Sequence, residues 1–299
     1  MVQRAGKFEN DPWPEKGGAQ LVRFLRPRLE AALKADDDFE LINLFHRNGP
    51  IADRLYAGTE LLLKVAEAHR RLGFPIESAR LFQSLIRDSK AEAFHEVALM
   101  GLGDSYLEQK DMRAARAVFE RYRLQFPVGR FAGQALIGIL TSFEGEGNTS
   151  GLVKLGKQWL IHNPRHPDRA LVQLKVADAL RQAKRDAEAA PLYESVLKAG
   201  MDLSALDRLR YADVLARLNR QEPALALYKQ ALIAGLEPEQ EAWAQFQIVQ
   251  LARGVKREEF ARNGLRALNE NSDSLVRRMA AVLQTELPEP VPTAGGKKR

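Results

Sequence analysis

Three stretches of this chain carry residue types at spacings that chemistry could use. Gly151-Leu152-Val153-Lys154-Leu155-Gly156-Lys157-Gln158 is one residue short of a phosphate-binding loop. Such a loop needs a Ser or Thr hydroxyl for Mg²⁺ where Gln158 stands, and a strand leading into it. Leu152, Val153 and Leu155 instead suit one face of a helix, with Gly156 permitting close packing. His162-Asn163-Pro164-Arg165-His166, with Asp168, sets two imidazoles and a carboxylate close together. Histidines four residues apart share a face only on a helix, and Pro164 and Pro167 argue for a turn. Gly145-Glu146-Gly147-Asn148-Thr149-Ser150-Gly151 is glycine-rich but joins helix to helix, so it reads as a long turn. His46, His69 and His95 stand alone in sequence, and His69 occupies a packing position. No nucleophile elbow appears. With no cysteine in the chain, thiolate nucleophiles, disulfides and thiolate zinc sites are excluded. These residues point to a chain that is not an enzyme and needs no cofactor or metal.

The stronger signal is periodic. Ala66, Gly103, Leu140, Ala177, Ala212 and Val249 recur at intervals of 35 to 37 residues. Three residues after each stand His69, Tyr106, Phe143, Leu180, Leu215 and Ala252. Twelve after stand Ser78, Ala115, Leu152, Ala189, Ala224 and Ala261. Sixteen after stand Phe82, Phe119, Gly156, Tyr193, Tyr228 and Leu265, and nineteen after stand Leu85, Tyr122, Trp159, Val196, Ala231 and Leu268. A period of this size means stacked supersecondary units. Two antiparallel helices approach closely only if small residues face large ones, as Gly103 and Ala115 face Tyr106 and Phe119. Polar or breaking residues mark the turn inside each unit: Gly73-Phe74-Pro75, Lys110-Asp111, Gly145 to Asn148, Lys184-Arg185-Asp186 and Asn219-Arg220-Gln221. Pro127, Pro164 and Pro238 fall between units, where a proline stops a helix.

At these positions the chain resembles the tetratricopeptide repeat family over roughly residues 55–270. Leu140 and Leu152 stand where that family usually has small residues. The resemblance implies an all-α fold, a right-handed α-solenoid of stacked antiparallel helix pairs, about six to seven pairs with a C-terminal capping helix. It also implies a non-enzymatic scaffold for protein–protein contacts. The joints Gln125 to Ala135 and Asn163 to Ala170 further resemble those of bacterial periplasmic members that help assemble envelope machinery.

In this family the first helices line the concave face. Three residues before each anchor stand Leu63, Met100, Ile137, Leu174, Leu209 and Phe246, all apolar. One residue after each stand Glu67, Asp104, Thr141, Asp178, Asp213 and Gln250, mostly acidic. An apolar row beside an acidic row would form a groove for an amphipathic helix or basic peptide of a protein partner. The competing reading is that the apolar row packs between neighbouring units. Lys and Asn, which grip acidic C-termini in some family members, are absent from these positions.

The organisation expected is a flexible segment over 1–18, a degenerate helical pair over 19–54, repeats over 55–272, a capping helix over 273–287 and a disordered tail over 288–299. Helical patterning starts near Ala19, with Pro27 inside it. Asp36, Asp37 and Asp38 then lead into a helix from Phe39 to His46 that Asn48-Gly49-Pro50 ends. Charged residues make up 28% of the 299-residue chain and hydrophobic ones 45%, so a core and a solvated surface are both available. The net charge of +6 and the arginine content leave a nucleic-acid-binding helical repeat as an alternative, but the charge is spread rather than blocked and aromatics sit at packing offsets, which argues against it. Arg113, Arg116, Arg121, Arg123 and Arg130 read as a solvated face. No stretch reaches the ~20 apolar residues of a membrane span. No apolar run follows Met1, so the chain as written reads as cytoplasmic; a trimmed signal or anchor would make it periplasmic.

Overall fold

The same offset governs the turn inside five of the helix pairs. Seven residues after each of five anchors, the backbone enters the left-handed region: Gly73 (φ 79°), Lys110 (φ 61°), Gly147 (φ 70°), Lys184 (φ 56°) and Asn219 (φ 59°). The next residue's N–H then donates back to a carbonyl five residues earlier: Phe74 to His69 at 2.8 Å, Asp111 to Tyr106 at 2.9 Å, Asn148 to Phe143 at 2.8 Å, Arg185 to Leu180 at 2.9 Å and Arg220 to Leu215 at 2.9 Å. This satisfies the orphan carbonyls of the first helix and reverses the chain. Gly73 and Gly147 adopt the turn without steric cost, while Lys110 and Lys184 carry a Cβ through it.

The protein is described by a computed structural model over residues 13–55, 59–254, 258–270 and 274–285. These hold fifteen α-helices: α1 Trp13–Lys34, α2 Asp38–Leu55, α3 Thr59–Arg71, α4 Pro75–Arg87, α5 His95–Glu108, α6 Met112–Gln125, α7 Ala132–Gly145, α8 Thr149–His162, α9 Arg169–Gln182, α10 Asp186–Lys198, α11 Ala205–Arg217, α12 Gln221–Ala234, α13 Pro238–Gly254, α14 Glu258–Asn269 and α15 Ser274–Thr285. A 3₁₀ turn, Ser89–Phe94, joins α4 to α5. The helices form stacked pairs and no strand occurs among the described residues. The chain divides into two compact units, residues 1–155 with 166–168 and residues 156–165 with 169–299, and the division falls within α8.

In the first unit each helix packs on the next, and the first helices α3, α5 and α7 also touch one another in sequence. The core is built as the small–large pattern requires. Phe119, Ala115 and Tyr122 have no exposed surface. The Phe119 ring is held between α5 and α7, where a Cβ placed on Gly103 or Gly138 would stand 2.5 or 2.4 Å from it. In the second unit α9, α11, α13 and α15 contact in the same alternation. There Tyr193, Val196, Tyr228 and Ala231 are fully buried. Ala280 and Leu283 of α15 join Val249 and Leu268 in one apolar cluster. Ion pairs tie neighbouring pairs at their rims. Arg71 grips Asp38 with Nε at 2.7 Å and Nη2 at 2.5 Å, and Arg217 grips Asp186 at 2.7 and 2.8 Å.

Three local expectations change, and Pro27 stays inside its helix, α1, as expected. Residues 13–18, expected to be flexible, are the first turns of α1; Pro14 fits there because the first helical turn needs no N–H donor. The rest of that segment, residues 1–12, and the tail over 288–299 lie outside the described residues. Asn48 (φ −134°, ψ 21°) breaks the helical geometry where expected, but helix resumes to Leu55 within the same element, because Pro50 suits the start of a new helical segment. Pro238 opens α13 rather than closing the helix before it, the position where its missing N–H costs nothing.

His46 and His69 meet where α2 packs on α3, with their Nε2 atoms 3.1 Å apart. His69 is 2% exposed, and its Nδ1 lies 2.8 Å from the Val65 carbonyl. A carbonyl only accepts, so Nδ1 carries the proton and Nε2 of neutral His69 accepts from Nε2–H of His46. Burial holds His69 below its ordinary value of 6.5; the Val65 bond and Glu77 oppose this, and His46 adds to it. Between the folded and unfolded values the unfolded chain binds more protons, so this contribution is complete above 6.5 and is lost as pH falls towards the depressed folded value. Thermal melts from about pH 7.5 to about pH 5 should show a falling midpoint, with a smaller slope in His69→Gln. Equal slopes would contradict the assignment.

Candidate functional site

The residues that the periodicity picked out do not share one fate. Met100 and Asp104 on α5 and Ile137 and Thr141 on α7 come together in the first unit. With Leu107, Phe131, Gln134 and Gly138 they line a cleft of about 370 Å³. Met100, Asp104 and Leu107 recur at helical spacing on α5, as do Gln134, Ile137 and Thr141 on α7, so each helix turns one face to the cleft. Leu107 and Gln134 follow from that spacing and were legible, though the two rows did not include them. Phe131 precedes α7, and its place depends on a tertiary contact. Its N–H donates to the Tyr122 hydroxyl at 3.0 Å, and that hydroxyl donates to Glu96 Oε1 at 2.5 Å. Burial and the Glu96 carboxylate raise the Tyr122 phenol above its ordinary range, so it stays a neutral donor. The Arg130 guanidinium lies over the Phe131 ring, 4.4 Å from its centre.

The other apolar positions divide between surface and interior. Leu63 and Leu209 are 6% and 5% exposed, and Leu63 belongs to the interior cluster with Ala66, Ala79 and Phe82. Leu174 and Phe246 are half-buried. Phe246 stacks on Trp243 with centroids 5.9 Å apart. For Leu63 and Leu209 packing between units has won, since apolar residues at helical spacing are most often core.

The acidic positions differ more sharply. Asp178 is buried and accepts a short hydrogen bond from the Tyr193 hydroxyl. It also accepts from Arg210 Nη1 at 2.7 Å and lies 3.6 Å from Arg181 Nε. Asp213 accepts from the Tyr228 hydroxyl at 2.6 Å and from Trp243 Nε1 at 3.0 Å. Burial and these carboxylates raise both phenols, Tyr193 and Tyr228, above their ordinary range. Glu67 pairs with Lys64 at 3.3 Å, and Gln250 is exposed. Asp104 makes no hydrogen bond or ion pair among the described residues. Burial raises its carboxyl above the ordinary 3.8; Arg70 lowers it and Glu108 adds to the rise. The nearest cation is committed elsewhere, because Arg70 Nη1 bonds Glu108 Oε1 at 2.9 Å. The acidic row expected from sequence therefore divides into internal partners in the second unit and, in the first, Glu67 paired with Lys64 and Asp104 without a side-chain partner.

Residues that suggested chemistry take structural places. Gly151 to Gln158 lies inside helix α8, where no strand precedes it. His162 Nδ1 donates to the Gln158 carbonyl at 2.8 Å, and His166 stands in the following turn, 3.8 Å from Asp168. No group of three or more potential metal ligands occurs among the described residues. Arg116 pairs with Glu146 and covers the Phe143 ring at 4.9 Å.

Residues 97–127, which span α5, α6 and the start of this cleft, match the family model of the tetratricopeptide repeat. This is a tetratricopeptide-repeat fold. Solved structures agree. The C-terminal part of a tetratricopeptide-repeat protein from Cytophaga hutchinsonii superposes with a TM-score of 0.64 at 12% identity, covering 86% of this chain and 98% of that one. Pseudomonas aeruginosa pilF gives 0.60 at 13% identity over 77% and 97%. PilW, described as a widely conserved type IV pilus biogenesis factor, gives 0.55 at 12% identity over 74% and 97%. No curated protein matches the sequence. At these identities the likeness is one of tetratricopeptide-repeat fold, and proteins of that fold are in general non-catalytic scaffolds that bind other proteins. No helix among the described residues is long and apolar enough to cross a membrane.

Proposed function

We propose that this chain is a non-enzymatic scaffold that binds a protein partner by taking an apolar helix or extended peptide into the cleft between α5 and α7. The single observation that carries this is the cleft itself. Met100, Leu107, Phe131 and Ile137 present apolar surface in a recess of about 370 Å³, on helices packed around the Phe119 core. Apolar clefts with a few convergent polar groups are the usual sites of recognition, and helical repeats use side-by-side first helices for it. A second reading, an envelope assembly factor, draws on the fold shared with pilF and PilW and on the two joints, but on no residue of the cleft, so it ranks second.

The test is affinity capture from the native host by the full chain and by the double variant Met100→Glu, Ile137→Glu. Both residues are partly exposed, so a charge there should disturb the fold less than at buried Leu209. Recovery of at least one specific partner should fall roughly ten-fold or more, since few residues dominate such interfaces. Unchanged recovery with intact helicity would remove the cleft from the function.

A further inference from the structure

Three aspartates stand one residue after the anchors Gly103, Ala177 and Ala212, and the residue fifteen positions later decides what each can do. For Asp178 and Asp213 that residue is a tyrosine, and its hydroxyl donates to the carboxylate. For Asp104 it is Phe119, which is fully buried and has no hydroxyl to give. The same place in the repeat therefore holds a carboxylate with an internal donor twice and one without such a donor once, and the one without lines the apolar cleft. None of the other seven residues lining that cleft is charged. Arg70 and Glu108 beside it are bonded to each other, and the Arg130 guanidinium lies over the Phe131 ring, so Asp104 is the one charged side chain that lines the cleft itself.

We infer that Asp104 reads the charge of the partner: it receives the ammonium or guanidinium of a lysine or arginine whose apolar neighbours seat on Met100, Phe131 and Ile137. This rests on the cleft being the docking site. A carboxylate partly withdrawn from water, with no internal donor, exchanges its remaining water for the partner's N–H donors in the complex. An acidic or apolar side chain in its place leaves that carboxylate dehydrated and unpaired. Discrimination thus comes from the repulsive case as well as the attractive one. The free protein carries the mark of this arrangement: burial raises the Asp104 carboxyl, so the charged form weakens the fold at neutral pH.

The experiment uses the full chain and Asp104→Asn with three fluorescent amphipathic helical peptides, identical except for one residue among the leucines: Lys, Gln or Glu. On the wild-type chain the Lys peptide should bind roughly ten-fold or more tighter than the Glu peptide. In Asp104→Asn that preference should vanish while the Gln peptide binds as before. The variant should also melt higher than wild type near neutral pH. That gain should vanish as pH falls to the ordinary 3.8, because protonation removes the same charge. Equal binding of Lys and Glu peptides to wild type, or a Lys preference that survives in Asp104→Asn, overturns the inference and leaves the cleft reading standing. Failure of all three peptides to bind either protein overturns both.

Discussion

Replacing Phe119 with alanine should cost about 3–5 kcal/mol of stability, the range for truncating a buried aromatic that leaves a cavity its neighbours cannot fill. The neighbours here are unusually unable to respond. The ring fills the space that Gly103 on α5 and Gly138 on α7 leave open; neither has a side chain to rotate inward, and closing the gap means moving a helix. Ala115 and Tyr122 on the same helix are fully buried and hold α6 at its present distance. Urea melts of the full chain followed by far-ultraviolet circular dichroism measure the effect. Leu124→Ala on the same helix is the control. Leu124 is 84% exposed, and exposed substitutions of this kind usually stay within about 0.5 kcal/mol. A loss at Phe119 no larger than at Leu124 would show that the small–large contact does not hold the pairs together.

The fold was legible because that contact repeats. A glycine or alanine at one offset and an aromatic at another are visible in a bare sequence, and their recurrence every 35 to 37 residues leaves stacked helix pairs as the physical solution. The turns were legible for the same reason, though Lys110 and Lys184 hid their left-handed backbone behind side chains that carry no turn signature. What the sequence obscured was exposure. Met100 and Leu209 occupy equivalent positions and are both apolar, yet one lines a cleft and the other is interior. Periodicity says which way a side chain points along its own helix, and not how close the next helix lies.

The acidic row divides for a related reason. Asp104, Asp178 and Asp213 are the same residue at the same offset. Their difference lies fifteen residues away, in whether the aromatic of the second helix ends in a hydroxyl. Phe119, Tyr193 and Tyr228 were in view as packing residues, and burial treats a phenylalanine and a tyrosine alike. Hydrogen bonding does not, since a buried phenol must find an acceptor. The nearby aspartate supplies one, and so ceases to be surface charge.

That distinction yields the second large effect. Asp178→Ala should cost about 3–5 kcal/mol, the penalty for removing one partner of a buried ionic cluster. The Tyr193 hydroxyl would lose its acceptor in a fully buried position. Arg210 Nη1 would lose its 2.7 Å bond and keep only the longer contact to Asp207 at 3.4 Å. Arg181 Nε is already buried without a hydrogen bond, and the 3.6 Å approach of Asp178 is the carboxylate that compensates its charge. Tyr193→Phe is the gentler test, because it removes one donor and leaves Arg210 in place, for about 1 kcal/mol. Asp213→Ala should fall between, at about 1–3 kcal/mol, since its second donor sits on Trp243, which is 44% exposed and can bond to water instead. Asp104→Asn should show no loss. Denaturant melts of these variants rank three chemically identical side chains by their partners alone. If Asp178→Ala costs no more than Asp213→Ala, or if Asp104→Asn weakens the fold, then the tyrosine hydroxyls are not what separates structural aspartates from the one left for a partner.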